Sequence, residues 1–267
     1  MSGIARAKFD GRLDRLSSLI ERFRVSAVLV RPSMSQFPTA NFFVFRGSNS
    51  DLRLVYLPKR RPVDPCCRAK ARQEGEQLEV ATHIGISGAG DHLTSALPEC
   101  ISVTLTNAPY LEAVVLPLVE EVTNPRCGGL AVFHRLCEVV VIRLLRHELE
   151  NENTDVGLLA GLAHPRLAAV LVALHEEPHE QWTLEKMAAK AGMSRTQFAL
   201  TFKEVVGTTP GGYLSNWRLG IARAELENGS PVKTVARLCG FSSAAAFSRA
   251  FSRRYGYAPK MERSDVA

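Results

Sequence analysis

The chain has 267 residues, 46% of them hydrophobic, so it can bury one large core or two modest ones, and its length favours two domains. No stretch of 18 apolar residues exists and the charged segment Met1 to Phe23 lacks the apolar run of a secretory signal, which argues against a membrane-spanning or exported chain and predicts a soluble, cytoplasmic one. The net charge of +6 is unevenly placed: residues 162–267 hold 14 Lys and Arg against 9 Asp and Glu, the remainder 19 against 18, as a polyanion-binding module needs.

Residues 9 to 23 place Phe9, Leu13, Leu16, Leu19, Ile20 and Phe23 at helical spacing and predict a short amphipathic helix. Short runs rich in Val, Phe, Tyr and Leu follow at Ala27 to Val30, Asn41 to Arg46, Leu52 to Leu57 and Gln77 to Thr82. Punctuated by Pro, Gly, Asn and Ser, they predict strands of a small antiparallel sandwich or barrel, with a polar, basic loop from Lys59 to Glu76. From Leu111 the period becomes 3.6. One helix runs to Val122 and breaks at Asn124-Pro125, and a longer one spans Leu130 to Glu150 with Phe133, Cys137, Val140, Val141, Leu144 and Leu145 on one side. Asn151 to Asp155 is polar and reads as a linker, which places a domain boundary between 150 and 163.

The remainder reads as helix and contains a repeat. Leu167, Val170, Leu171 and Leu174 define a helix after Pro165. Thr183 caps the next, which ends at Gly192, and Ser194 caps a third, with Gln197 three residues on in a capping-box pattern. A connecting helix from Gly212 carries Leu214, Trp217, Ile221 and Ala224 and stops at Asn228-Gly229; Ser230-Pro231 opens the second copy with proline at the first helical position. Each copy has a glycine (Gly192, Gly240), a Phe pair four apart (Phe198 and Phe202, Phe247 and Phe251), a glycine five residues later and a proline three after that. Glycine permits the left-handed turn, and the Phe pair anchors the second helix. Each second helix then has an outer face able to enter a major groove. The outward candidates are Ser194, Arg195, Thr196, Gln197, Leu200 and Lys203 in the first copy, and Ser243, Ala245, Arg249, Arg253 and Arg254 in the second. Arg249 suits a guanine edge; Arg253 and Arg254 suit phosphate.

These residues carry a resemblance. Trp182-Thr183, Ala188, Ala191-Gly192-Met193-Ser194, Phe198, Phe202, Gly207, Pro210, Tyr213-Leu214, Trp217-Arg218, Ala222, Ala236, Gly240-Phe241, Ala246 to Phe251, Gly256 and Pro259 resemble the DNA-binding domain of the AraC/XylS family of bacterial transcription regulators. The preceding part is similar to a cupin-type sensor domain of that family, through its opening helix, its strands, and Cys127-Gly-Gly-Leu leading into Leu136 and Leu144-Leu145-Arg146. The resemblance implies an α+β chain: a cupin-like β-barrel with flanking helices at 1–150, a linker at 151–162, and an all-α DNA-binding domain at 163–267 with helix-turn-helix units at 183–204 and 231–254. It implies a promoter-binding, nucleoid-associated activator with double-stranded DNA and RNA polymerase as partners, a small-molecule effector, and a homodimer. Three places depart from the family: Ala199, Leu200 and Thr201 where relatives commonly carry Arg or Gln, the run Ala244 to Ala246, and Glu262 where the closing motif has an aromatic residue.

The six cysteines lack zinc-site spacing. Cys66 and Cys67 sit among Arg60, Arg61, Arg68 and Lys70, a setting that lowers a thiol pKa, and are candidate redox sensors with Cys100 or Cys127 as resolving thiols. Cys137 and Cys239 lie on apolar helix faces. The barrel region offers only His83 and His92, too few nitrogen ligands for a metal-dependent cupin enzyme with a helical interaction tail, so that alternative ranks second, and no cofactor or metal is expected.

Overall fold

The computed structural model describes residues 8–9, 12–30, 40–59, 72–88, 93–94, 97–151 and 156–262. These residues divide into two compact units, one made of those that fall within 25–86 and 97–151, the other of those within 1–24, 87–96 and 152–267. The sequence reading had placed residues 1–24 with the first of these.

The first unit is built on a five-stranded sheet in the order β3-β6-β4-β5-β7, comprising β3 (Phe23–Leu29), β4 (Phe42–Arg46), β5 (Leu52–Tyr56), β6 (Gln77–Gly88) and β7 (Ile101–Thr104). The β6–β4, β4–β5 and β5–β7 pairs are antiparallel. The strands β4 and β5 fall on the runs expected from sequence; β3 begins four residues before its expected run, β6 runs past the expected end at Thr82 to Gly88, and β7 falls on no expected run, being four residues in which only Ile101 and Val103 are apolar and buried. In β4 all of Phe42, Phe43, Val44 and Phe45 are buried, so both sheet faces are covered at its centre. Ala40, Phe43, Phe45, Val55, Leu57 and Ala81 form one core cluster. The register slips between Val44 and Phe45 so that Glu79 has no partner in β4, a bulge that sends its carboxylate 2.6 Å from the Arg46 guanidinium. Buried Asn41 continues the ladder through its side chain: its Nδ2 donates to the Ile84 carbonyl at 2.9 Å, and its Oδ1 accepts from the Ile84 N–H at 2.7 Å. Two helices complete the unit. The first is α2 (Pro109–Thr123) and the second is α3 (Gly129–Glu150), which packs on it and buries Phe133, Cys137, Val140, Val141, Leu144 and Leu145 as expected.

The second unit is helical: α4 (Leu158–Ala163), α5 (Leu167–Glu176), α6 (Leu184–Lys190), α7 (Arg195–Val206), α8 (Pro210–Glu227), α9 (Val232–Leu238), α10 (Ala244–Tyr255) and α11 (Pro259–Glu262). The segment expected to be linker through residue 162 contains α4, whose Leu158, Leu159 and Leu162 are buried and which packs on both α5 and α7. The helix expected over residues 9–23 does not form. Lys8–Phe9 (β1) and Arg12–Leu13 (β2) are a short antiparallel pair, and only Ser17–Ile20 (α1) is helical, packing on α5. The cause is Asp14, whose carboxylate accepts from the N–H groups of Leu16 (3.2 Å) and Ser17 (3.0 Å), so the helix starts there instead of passing through.

Arg53 and Glu76 make the best-formed ion pair of the sheet unit. Two parallel hydrogen bonds of 2.6 Å join guanidinium to carboxylate, both side chains being largely buried, and the Gln73 N–H adds a third at 2.7 Å. The Arg53 hydrogen bond holds the Glu76 carboxyl below its ordinary pKa. Because the folded pKa is depressed, the stabilisation is present above the unfolded pKa and disappears as pH falls through the folded one. Glu76→Gln is therefore expected to lower stability at pH 7 by about 1 to 3 kcal/mol. In urea titrations followed by circular dichroism the gap between the two proteins narrows below about pH 4.

Candidate nucleic-acid interface

Two helix-turn-helix units, α6–α7 and α9–α10, are joined by the single helix α8. In each, the turn is held by the same pair of backbone bonds. Gly192 N–H donates to the Ala189 carbonyl and Met193 N–H to that of Ala188; Gly240 and Phe241 do the same to Arg237 and Ala236. Both glycines take left-handed φ, +62° and +72°. The helices that follow are capped by serine: Ser194 Oγ accepts from the Gln197 N–H (3.3 Å) and Ser243 Oγ from that of Ala246 (3.1 Å). The second unit has one more residue, Ser242, between glycine and cap. Thr183 caps α6 as expected, whereas Pro231 stands at the N-cap of α9, one position earlier than expected.

The inner faces are closed by aromatic residues. Phe198, Phe202, Phe247 and Phe251 have no exposed surface, with Phe202 edge-on to Tyr213 of α8 and Phe251 packed on Tyr255 and Tyr257. All eleven residues expected to face DNA are exposed: Ser194, Arg195, Thr196, Gln197, Leu200 and Lys203 in and before α7, and Ser243, Ala245, Arg249, Arg253 and Arg254 in and before α10. Their electrostatic settings differ. Arg195 is paired with Glu185 at 2.7 Å across the first unit, and Arg254 lies over the Tyr255 ring. Among the described residues Arg249 and Arg253 are in no ion pair. Sequence reasoning missed Glu185 and Glu204; the second would have emerged from aligning the repeat, since it takes the place of Arg253.

The two units are also tied together. The Arg218 guanidinium, on α8, donates to the Pro178 carbonyl (2.6 Å) and the Glu180 carbonyl (2.8 Å) in the segment leading to the first unit. Gly240, in the turn of the second, lies against the same segment: a Cβ there would stand 2.8 Å from the His179 carbonyl oxygen and 2.9 Å from its Cα. Nearer the C-terminus of α8, Arg223 pairs with Glu262 of α11 (2.9 Å) and Glu227 (3.3 Å), and the Tyr257 hydroxyl donates to Glu262. Glu262, which departs from the family pattern, is thus a buried partner of Arg223.

In the sheet unit a cavity of about 410 Å³ opens between β3 and β6 and the α2–α3 corner, lined mainly by apolar residues such as Leu29, Val30, Leu78 and Phe133, with Glu79, Glu121 and Arg126 as its charged residues. Among the described residues no group of three or more His, Cys, Asp or Glu is placed to hold a metal, and no helix is long and apolar enough to cross a membrane. His83 is half-buried. Burial pushes the Cys137 and Cys239 thiols up to about 12, and Cys100 and Cys127 are exposed. Cys66, Cys67 and His92 lie outside the described residues.

Residues 187–264 match the helix-turn-helix domain family and residues 41–150 the cupin family. The chain is 35% identical over 190 residues to a putative AraC-like transcription regulator of Streptomyces antibioticus, covering 69% of this chain and 61% of that protein. It is 28% identical over 236 residues to the RCS-specific HTH-type transcriptional activator RclR of Escherichia coli (strain K12), covering 86% and 80%. The chain thus spans about three fifths of the length of the first relative. Among solved structures, the DNA-binding domain of AdpA, a global transcriptional factor, in complex with a target DNA is 36% identical, covering 38% of this chain and 93% of that one with a TM-score of 0.37.

The two turn glycines form an internal comparison. Nothing lies within 4 Å of a Cβ built on Gly192, whereas one on Gly240 meets backbone. Gly192→Ala is expected to destabilise by about 1 to 2 kcal/mol, the cost of a left-handed residue with a Cβ. Gly240→Ala should cost measurably more, because the His179 backbone must shift; urea unfolding of the two variants checks the order.

Proposed function

Since the chain belongs to the AraC-type family of helix-turn-helix proteins with a cupin domain, we propose that it is a DNA-binding transcription regulator that holds promoter DNA with α7 and α10 and senses an effector through its sheet unit. The observation that carries this is the pairing of two recognition helices, each with a fully buried inner Phe pair and an exposed outer face, on one continuous connecting helix. At 18 residues, α8 is about 27 Å long. That length suits two helices entering successive major grooves, about 34 Å apart, on one side of the duplex. Arg249 is assigned to a guanine edge and Arg253 to phosphate.

The apolar cavity of the sheet unit is of a size that holds small ligands, and it is the place we assign to the effector. We assign the domain boundary to residues 151–157, just ahead of α4. Cys66 and Cys67 remain the assigned redox-sensing pair; unchanged oxidant-dependent promoter output in Cys66→Ser with Cys67→Ser would remove that role. RNA polymerase is the expected protein partner. In a homodimer α3 would pair through Val132 and Val139, which are exposed, because its other apolar face is already buried. A monomer in sedimentation at micromolar concentration would count against it.

Arg249→Ala is expected to lose about 1 to 3 kcal/mol of specific binding and to relax preference at one base pair. Arg253→Ala should weaken binding to all duplexes alike and reduce the salt slope by about one. Titrations of both variants over specific and scrambled duplexes at several salt concentrations separate these roles; equal loss on every sequence for Arg249→Ala removes it from base reading.

A further inference from the structure

The duplication supplies a comparison that the chemistry of the two copies does not share. Setting Phe198 on Phe247 and Phe202 on Phe251 places Leu200 on Arg249: each stands two residues after the first buried ring of its helix. At about 100° per residue that is roughly 200° around the axis, the centre of the outward face. The second copy carries an arginine there, and the first a leucine that is 65% exposed. Leu200 contributes nothing to the core, since the inward positions of α7 are filled by Phe198, Phe202 and Val206. Its neighbours on the same face, Thr196 and Gln197 one turn earlier and Lys203 and Glu204 one turn later, are polar and exposed.

A leucine at that position cannot make a hydrogen bond, yet the floor of a major groove is almost wholly donors and acceptors. The exception is thymine, whose C5 methyl is the apolar feature of the base edges. Leucine packed on that methyl removes apolar surface from water on both sides. The same leucine pressed on guanine or on the cytosine amino group would leave polar atoms without their water partners, so it selects by rejection as well as attraction.

We propose that Leu200 is a specificity-determining residue that reads a thymine methyl, so that the half-site of the first unit is marked by a thymine where that of the second is marked by a guanine. The inference rests on the DNA-reading function proposed above. It extends to 5-methylcytosine, which presents a methyl group at the same place.

The test begins with duplexes selected from random sequence by the full chain. In the tightest one, each thymine is replaced in turn by deoxyuridine, which removes the methyl and keeps the pairing. One thymine in one half-site is expected to show a loss of about fourfold, the scale of burying a single carbon group. Leu200→Ala should bind the original duplex more weakly by a similar factor and be indifferent to that replacement, whereas Arg249→Ala should keep the penalty. At that base pair 5-methylcytosine should bind more tightly than cytosine. A selected duplex that tolerates every deoxyuridine overturns the reading of Leu200 alone, as does a penalty that persists in Leu200→Ala. If the full chain selects no sequence and binds all duplexes alike, sequence-specific regulation and this inference fall together.

Discussion

A helix can offer its outer face to another molecule only while its inner face is held against rotation, and in both copies that hold is a pair of phenylalanines one turn apart. Phe198 with Phe202, and Phe247 with Phe251, are sealed from solvent. Each buried ring contributes about 1.5 to 3 kcal/mol relative to exposure. Because side chains four residues apart lie on one stripe, burying the pair decides which residues point outward. The exposure of Arg195, Thr196, Leu200, Arg249 and Arg253 is the other side of that burial.

Orientation within each copy does not set the relation between copies. That falls to α8 and the contacts made from its middle and from its C-terminal turns. Arg218 reaches back to the carbonyls of Pro178 and Glu180, and the missing side chain of Gly240 lets the second turn lie on the same segment. Nearer the C-terminus of α8, Arg223 joins Glu262, where the carboxylate also accepts from Tyr257. Glu262 is buried and costly to leave unpaired, whereas Arg218 and Arg223 are half-buried, so the contacts act partly by penalising other arrangements. Burial holds the Arg218 guanidinium pKa below its ordinary value, yet two carbonyl acceptors keep its donors occupied.

The sheet unit solves a different problem, a sheet whose centre is buried on both faces and whose polar groups there must be satisfied internally. Asn41 stands in for backbone at the end of β4, Glu79 leaves the ladder through a bulge to meet Arg46, and Arg53 meets Glu76 in a two-pronged pair. Between these strands and the α2–α3 corner lies the cavity, lined mainly by apolar side chains.

The sequence by itself determined whatever depends on neighbours a few residues apart. The 3.6-residue period placed α2, α3, α5, α7, α8 and α10, the serine and threonine caps marked helix starts, and the spacing of glycine and phenylalanine revealed the duplicated unit with its outward residues. Only the tertiary structure decided what depends on distant partners. The strand β7 is too short to signal itself and exists because β5 pairs with it; α4 spans only six residues, so the helical spacing of Leu158, Leu159 and Leu162 is too short to stand out, and the helix is held because these leucines find α5 and α7. The expected helix over residues 9–23 yielded to one carboxylate, Asp14, because a local hydrogen bond to the backbone outweighs weak periodicity. The ties of Arg218 to Pro178 and of Arg223 to Glu262 span some 40 residues, and no local pattern encodes a contact at that separation.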